Sequence, residues 1–165
     1  MAVRLRQNGC RAGKSVVSKG KILLMDDEEK IRDVVGQMLR NIGYEVEYSK
    51  DGAEAIKRYK LTRKLGEPCH AVILDLMIPG GMGGKEAIQE LLKIDPEVKA
   101  IASSGYFNEP VMSYFEEYGF RAVLAKPYSI RELRETLHRV INPRPPAART
   151  GTIRTRRYPL SGAPG

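Results

Sequence analysis

Tryptophan is absent from this 165-residue chain, and there are only three phenylalanines and two cysteines. Two cysteines cannot supply the disulfide framework that stabilises many small secreted domains, so we expect a reduced, cytoplasmic protein. No apolar run approaches the ~20 residues that a membrane-spanning helix needs. The start of the chain also lacks the apolar segment of a secretion signal. We therefore predict no membrane partner.

Acidic residues are missing from both ends of the chain. Residues 1–20 contain five Lys or Arg, residues 142–165 contain five Arg, and neither stretch contains an acid. The ends supply +10 of formal charge to a chain of net charge +8, which leaves −2 on residues 21–141. The C-terminal stretch is rich in Pro and Gly and has no apolar period, so it cannot bury enough surface to fold.

We predict that residues 1–19 and 142–165 are basic, disordered tails that keep the protein soluble or act as linkers. Contact of the C-terminal tail with nucleic acid or anionic lipid is an alternative. The composition alone does not favour that alternative, so we do not expect nucleic acid to be a main partner.

The segment between the tails, residues 20–141, alternates between strand and helix patterns. Apolar or alternating runs predict strands at 21–25, 44–48, 71–76, 99–103 and 122–125. Helical spacing of apolar residues follows the first strand and ends at Gly43. Asp51 is the predicted N-cap of a second helix that reaches Lys64, and Ser129 is the predicted N-cap of the last helix. The third and fourth helices are predicted at 85–94 and 109–118.

Strands that alternate with helices predict a parallel sheet with helices on both faces. The second run alternates polar and apolar residues, as an edge strand does, whereas the third is nearly all apolar and fits a central strand. We therefore predict an α/β fold, a flavodoxin-like (βα)5 three-layer sandwich with a parallel five-stranded sheet of order 2-1-3-4-5. In such sheets, ligands bind at the carboxyl ends of the strands.

Five polar side chains are predicted to meet at those carboxyl ends. Asp26 and Asp27 follow the first strand, Asp75 lies near the end of the third, Ser103 ends the fourth and Lys126 follows the fifth. Clustered carboxylates repel one another, and they form an oxygen-rich site that suits Mg²⁺. A carboxylate can also be a nucleophile for a phosphoryl group, whose oxygens a hydroxyl and an ammonium can bind.

Simpler roles are possible for some of these residues. Acids after a strand often cap the next helix or lie favourably in its first turn, which accounts for Glu28 and Glu29 and in part for Asp26. That role does not explain Asp75, which lies inside an apolar strand. The hydroxyl could come from Ser104 instead of Ser103, and a lysine at position 126 could be an ordinary surface residue.

Four segments carry a resemblance to a known family: KILLMDDEEKIRDVV, AVILDLMIPGGMGGKEAI, AIASSGY and AVLAKPYSIRELRETL. In their order and spacing they resemble the receiver domain of bacterial two-component response regulators. They are most similar to receivers attached to hybrid sensor histidine kinases. The resemblance covers about residues 20–141, which we take as the receiver domain.

The resemblance implies a role for each matching residue. Asp75 would be the phosphoacceptor, Ser103 the switch hydroxyl and Lys126 the phosphoryl contact, with a cis peptide bond between Lys126 and Pro127. The Mg²⁺ ligands would come from Asp26, Asp27, Asp75 and the backbone carbonyl of Met77. The family often has an aromatic residue in the fifth strand, where this chain has Val123, and its glycine-rich loop, IPGGMGG, is one residue longer than the commoner form.

The resemblance also implies a function in two-component phosphorelay signalling. A histidine kinase or histidine phosphotransfer protein would phosphorylate Asp75, and the face formed by the fourth helix, fifth strand and fifth helix would then bind a downstream target or a second copy. Such a domain is a phosphoacceptor switch with at most Mg²⁺-dependent self-phosphorylation and autodephosphorylation. A scaffold that is never phosphorylated is the alternative. The chain could be a single-domain regulator or a piece of a hybrid kinase.

Overall fold

The computed structural model describes residues 18–106 and 110–143, and most of the predicted basic tails lies outside this part. Within it, five strands alternate with five helices. The strands are β1 (Lys21–Met25), β2 (Glu45–Ser49), β3 (Ala71–Asp75), β4 (Ala100–Ser104) and β5 (Ala122–Ala125). The helices are α1 (Glu29–Ile42), α2 (Gly52–Lys64), α3 (Gly84–Ile94), α4 (Pro110–Ser113) and α5 (Ile130–Ile141).

All five strands are parallel and form one sheet of order β2-β1-β3-β4-β5. This confirms the predicted flavodoxin-like (βα)5 fold. The central strand β3 is buried along its whole length, whereas the edge strand β2 is exposed or half-buried at every residue but its last. The two hydrophobicity patterns therefore gave the correct positions of both strands, because a central strand is covered on both faces and an edge strand is not.

The sheet separates two hydrophobic cores. Helices α1 and α5 cover one face, where Leu39 and Leu137 are fully buried, and helices α2, α3 and α4 cover the other, where Leu91 is fully buried. Burial of each such leucine contributes roughly 1.5–3 kcal/mol. The sheet lies between both cores with all its strands parallel, so the carboxyl ends of the strands lie together at one edge.

The predicted helix caps are present. Gly43 ends α1 in the left-handed conformation, with φ of 107°, and its N–H donates to the carbonyls of Leu39 and Arg40. The Asp51 carboxylate accepts a hydrogen bond from the Glu54 N–H at the start of α2. Ser129 forms a reciprocal capping box with Glu132 at the start of α5. None of the helices in the described ranges is long and apolar enough to cross a membrane.

The fourth helix is the largest departure from the prediction, because it ends at Ser113 and not at 118. Beyond it, the N–H groups of Glu117, Tyr118 and Gly119 each donate to the carbonyl three residues earlier. These tighter turns end at Gly119, which has a φ of 92°. The other strand and helix boundaries differ from the predicted ones by at most one or two residues.

Candidate active site at the carboxyl end of the sheet

Three carboxylates meet at the carboxyl end of the sheet. Asp26, Asp27 and Asp75 each place an oxygen within 4.8 Å of the others, and Asp26 and Asp75 are buried whereas Asp27 is exposed. Among the described residues, this is the one group of three or more His, Cys, Asp or Glu side chains that could hold a metal ion. A set made only of oxygen ligands fits a hard cation such as Mg²⁺.

Lys126 forms ion pairs with two of these carboxylates. Its Nζ lies 2.6 Å from Asp26 Oδ2 and 2.5 Å from Asp75 Oδ2. Burial alone would lower the pKa of Lys126, but the hydrogen bonds to both carboxylates outweigh burial and raise that pKa. The Lys126–Pro127 peptide bond is cis, as the resemblance implied.

Asp75 is buried at the end of β3. Burial raises the pKa of Asp75, against the effect of its hydrogen bonds with Lys126 and with the Met77 N–H, which donates to Oδ1 at 3.0 Å. The ionised carboxylate is therefore poorly solvated. A cation bound at this site in addition to Lys126 would favour the ionised, nucleophilic form of Asp75.

Ser103 lies beside Asp75 on the neighbouring strand. The two residues are paired in the β3–β4 register, and the buried Ser103 Oγ makes no hydrogen bond of normal geometry among the described residues, although it lies close enough to the Tyr128 phenol to oppose the effect of burial on the pKa of that group. Ser104 differs, because its Oγ accepts a hydrogen bond from the Tyr106 N–H and so stabilises the turn after β4. Of the two candidate hydroxyls, Ser103 is thus the one that lies beside Asp75 and is not held by a backbone N–H.

Arg32 supports the acidic pair and was not predicted from the sequence. Its Nη1 donates to the backbone carbonyls of Asp26 at 2.6 Å and of Asp27 at 3.0 Å. The Asp26 carboxylate in turn accepts a hydrogen bond from the N–H of Glu28, the N-cap residue of α1. A basic residue five or six positions after the acidic pair, on the first turns of the next helix, is the signal that could have indicated this role.

Glycines allow the β3–α3 loop to pack closely against the end of β3. A Cβ on Gly84 would lie 2.8 Å from the Asp75 carbonyl oxygen, and one on Gly83 would lie 2.5 Å from the Leu76 carbonyl oxygen. The loop is also attached to α2, because the Gly52 N–H donates to the Met82 carbonyl. Met77, whose side chain is half exposed, lines the cleft of about 330 Å³ above Asp27 and Asp75.

A second depression of about 430 Å³ adjoins the acidic cleft on the α1 side, and we call it the α1 groove. Apart from Lys126, its lining is apolar: Ile31, Val34, Val35, Met38, Pro127 and Tyr128. Tyr128 was also not predicted from the sequence. Burial raises the pKa of its phenol, so the group is neutral beside the charged site. Val34 is 53% exposed, which is unusual for a residue on an apolar helix face.

Comparison with known proteins agrees with this geometry. The family model of the response regulator receiver domain matches residues 22–138. The chemotaxis protein CheY of Thermotoga maritima is 28% identical over 121 residues, which cover 73% of this chain and 96% of CheY. The sensor kinase CckA of Brucella abortus is 28% identical over 120 residues, which cover 73% of this chain but only 12% of the kinase.

A solved structure shows the same fold with a metal ion. The receiver domain of the Pseudomonas aeruginosa sensor histidine kinase PA1611, which has a magnesium ion coordinated in its active-site cleft, is 27% identical. The match covers 74% of this chain and 97% of that domain, with a TM-score of 0.65.

The chain therefore belongs to the response regulator receiver domain family. Its role is in two-component phosphorelay signalling, as a phosphoacceptor switch.

Proposed function

We propose that Asp75 accepts the phosphoryl group, and that Asp26, Asp27, Asp75 and the backbone carbonyl of Met77 bind Mg²⁺. The observation that carries this proposal is the meeting of the three carboxylates with the Lys126 ammonium at the carboxyl end of the sheet. Burial raises the pKa of Asp75, and a carboxyl group perturbed in this way beside a charged partner in a cleft is typical of functional sites.

Each residue has a separate part in the transfer. A carboxylate oxygen of Asp75 attacks the phosphorus of a phosphohistidine donor, so a P–O bond forms, the P–N bond breaks and the imidazole leaves. Lys126 pairs with the phosphoryl oxygens, and the Ser103 hydroxyl, which makes no hydrogen bond of normal geometry in the described part, donates one to them. Bound Mg²⁺ would supply charge neutralisation for the transferred group.

The phosphate adds about −1.5 to −2 charges at a buried strand end. Ser103 and Lys126 move toward the phosphoryl group, and the ends of β4 and β5 move with them. This movement shifts an existing conformational equilibrium toward the state that binds a partner. We propose that the α4–β5–α5 face binds the downstream target or a second copy. Because Val123 occupies the position of the family's aromatic residue, the switch would work through the hydroxyl rather than through an aromatic ring.

The α1 groove is suited to the phosphodonor. It is apolar, it is open, and Lys126 lies at its edge next to Asp75. A helix of a histidine kinase or histidine phosphotransfer protein that packs there would bring its phosphohistidine to Asp75. We also propose slow self-phosphorylation from small donors and autodephosphorylation. The cytoplasmic location, and the choice between a single-domain regulator and part of a hybrid kinase, stay predictions.

Incubation with acetyl phosphate and Mg²⁺, followed by intact-mass measurement, tests the proposal. We expect the mass to increase by one phosphoryl group, and we expect the increase to disappear without Mg²⁺ and in Asp75→Asn. Asp33→Asn is the matched control, because it removes an exposed carboxylate of α1. An unchanged mass of the folded protein, or a phosphoryl group that persists in Asp75→Asn, would support the scaffold alternative instead.

A further inference from the structure

Ser103 faces the same side of the sheet as helices α1 and α5. Side chains alternate between the two faces of a strand, and Ile101, two residues before Ser103, lies in the core that α1 and α5 cover. Asp75 follows Ile73 of the same core in the same way. The buried hydroxyl and the proposed phosphoacceptor therefore lie on one face of the sheet, at the ends of neighbouring strands.

Tyr128 lies on this face as well. Its side chain packs against the core between the sheet and helices α1 and α5, and it also forms part of the α1 groove. The phenol lies close enough to Ser103 for the serine hydroxyl to oppose the effect of burial on the pKa of Tyr128. In the described part of the chain, however, Ser103 Oγ makes no hydrogen bond of normal geometry. The two hydroxyls are thus neighbours without a complete hydrogen bond between them.

The Tyr128 phenol is able to donate a hydrogen bond. A tyrosine ordinarily titrates at about pH 10, and burial raises the pKa of Tyr128 further, so the group keeps its proton at neutral pH. A serine hydroxyl donates one hydrogen bond and can accept another at the same time. When Ser103 donates to a phosphoryl oxygen, its lone pairs therefore stay available to the phenolic O–H. Hydrogen bonds that form such a chain strengthen one another in the interior of a protein.

We infer, on the basis of the proposed function, that Tyr128 is a positioning residue for the phosphoryl group on Asp75 and acts through Ser103. The phenolic O–H donates to Ser103 Oγ, holds this hydroxyl toward Asp75 and strengthens the hydrogen bond that Ser103 donates to the phosphoryl oxygen. The contact between the two hydroxyls is complete only when the phosphoryl group is present. Tyr128 therefore stabilises the phosphorylated state more than the unphosphorylated one.

The support that Tyr128 gives to Ser103 comes from the face of the sheet opposite to that of Val123. Val123, at the position of the family's aromatic residue, packs against the core that α2, α3 and α4 cover. Tyr128 instead forms part of the α1 groove, where we propose that the phosphodonor packs. A donor helix in the groove would cover the Tyr128 ring and exclude water, which strengthens the hydrogen bonds behind it. Donor packing and phosphoryl binding would therefore favour each other through Tyr128.

Calorimetric titration of the full chain with beryllofluoride, a phosphoryl mimic, in saturating Mg²⁺ tests the inference. Tyr128→Phe keeps the ring in the core and removes the O–H, so we expect beryllofluoride to bind about 3- to 10-fold more weakly, as for the loss of one hydrogen bond. Phosphorylation by acetyl phosphate should slow by a similar factor. Tyr48→Phe is the matched control and should change neither, because Tyr48 packs against the same core and its Oη accepts from Arg40.

A double-mutant cycle with Ser103→Ala separates positioning from packing. In Ser103→Ala the phenol has no hydroxyl to support, so the further change Tyr128→Phe should weaken beryllofluoride binding by less than about twofold. A side chain that only fills space would cause the same loss in both backgrounds. Mg²⁺ affinity measured without beryllofluoride should be equal in wild type and Tyr128→Phe, because the carboxylates keep their contacts.

Three results would overturn the inference and leave the proposed function intact, provided that acetyl phosphate still labels Asp75 of the wild type. The first is equal beryllofluoride affinity of wild type and Tyr128→Phe. The second is tighter binding by Tyr128→Phe, which would mean that the phenol holds Ser103 away from the phosphoryl group. The third is an undiminished loss in the Ser103→Ala background. Failure of acetyl phosphate to label the wild type would overturn the proposed function, and the role of Tyr128 with it.

Discussion

Ser103 and Asp75 are neighbours in the β3–β4 register, and the buried Ser103 hydroxyl makes no hydrogen bond of normal geometry in the described part of the chain, although the Tyr128 phenol lies close enough to interact with it. An unsatisfied buried hydroxyl is destabilising, whereas a hydrogen bond to a charged group contributes about 1.5–3 kcal/mol. The poorly satisfied Ser103 hydroxyl therefore costs stability in the resting domain, and under the proposed function it would gain a charged partner on Asp75.

Ser103→Ala should accordingly leave the free energy of unfolding unchanged or raise it by up to about 1 kcal/mol. The extra stability that Mg²⁺ with beryllofluoride, a phosphoryl mimic, gives to the domain should be smaller by about 1.5–3 kcal/mol in this variant. Urea unfolding with and without beryllofluoride measures both. Ser104→Ala is the control, because Ser104 Oγ binds the Tyr106 N–H instead. An equal beryllofluoride effect in wild type and Ser103→Ala would exclude the proposed contact.

Lys126→Met should be strongly destabilising in the metal-free domain. It leaves Asp26 and Asp75 buried without their shared counter-charge, and loss of one partner of a buried pair costs about 3–5 kcal/mol. Saturating Mg²⁺ should restore part of this loss and should stabilise the variant more than the wild type. Unfolding followed by circular dichroism at several Mg²⁺ concentrations measures the effect. Lys57→Met, at an exposed position of α2, is the control, and an equal response of both variants to Mg²⁺ would contradict the prediction.

Arg32→Gln should weaken Mg²⁺ binding although Arg32 is not a ligand. The substitution removes the bonds that hold the carbonyls of Asp26 and Asp27, and loss of such supporting contacts typically lowers metal affinity by 10–100-fold. We expect a loss of about tenfold by isothermal titration calorimetry. Lys30→Gln removes a neighbouring positive charge without these bonds and should have a small effect. Equal losses in the two variants would show that only net charge matters.

The sequence predicted the fold well because each pattern had a local cause. Asp51 and Ser129 cap helices through contacts three residues away, and Gly43 supplies the left-handed residue after α1. The acidic residues and Lys126 were predicted correctly at the strand ends because parallel strands align their carboxyl ends. Their chemical roles stay predictions.

The contacts that could not be predicted from the sequence are those of long side chains that reach distant parts of the fold. Arg32 binds backbone carbonyls five and six residues earlier, and Tyr128 acquires its environment from α1. Neither contact produces a periodic pattern of residues in the sequence. The fourth helix was predicted too long because apolar spacing does not distinguish helical hydrogen bonds from the tighter turns that reach Gly119.

Gly84→Ala should disturb the site through the backbone. Its Cβ would lie 2.8 Å from the Asp75 carbonyl oxygen and 3.2 Å from Leu74 Cβ, both in a fully buried strand that cannot easily move. We expect a loss of about 1–3 kcal/mol in the free energy of unfolding. Phosphorylation by acetyl phosphate should slow by up to about 100-fold, because a small displacement of a nucleophile is costly. Gly105→Ala, whose Cβ would enter open space, is the matched control.

Acid sensitivity should depend in part on Asp95, far from the phosphorylation site. Asp95 Oδ2 accepts a hydrogen bond from Tyr59 Oη at 2.7 Å and pairs with Arg63, and Oδ1 accepts from the Glu97 N–H. Burial alone would raise the pKa of Asp95, but these contacts outweigh burial and hold it below the ordinary value of 3.8. A carboxyl group with a depressed pKa in the folded state stabilises the fold above its unfolded pKa, and this contribution is lost as the pH falls through the folded pKa.

The difference in unfolding free energy between wild type and Asp95→Asn should therefore be constant from about pH 5 upward and should shrink below pH 3.8. Urea unfolding across this range measures the difference, in which the titration of all other acids cancels. Tyr59→Phe keeps the buried ring and removes one donor, so its acid dependence should lie between those of the two proteins. A difference that stays constant down to pH 2.5 would mean that Asp95 has an unperturbed pKa in the folded state.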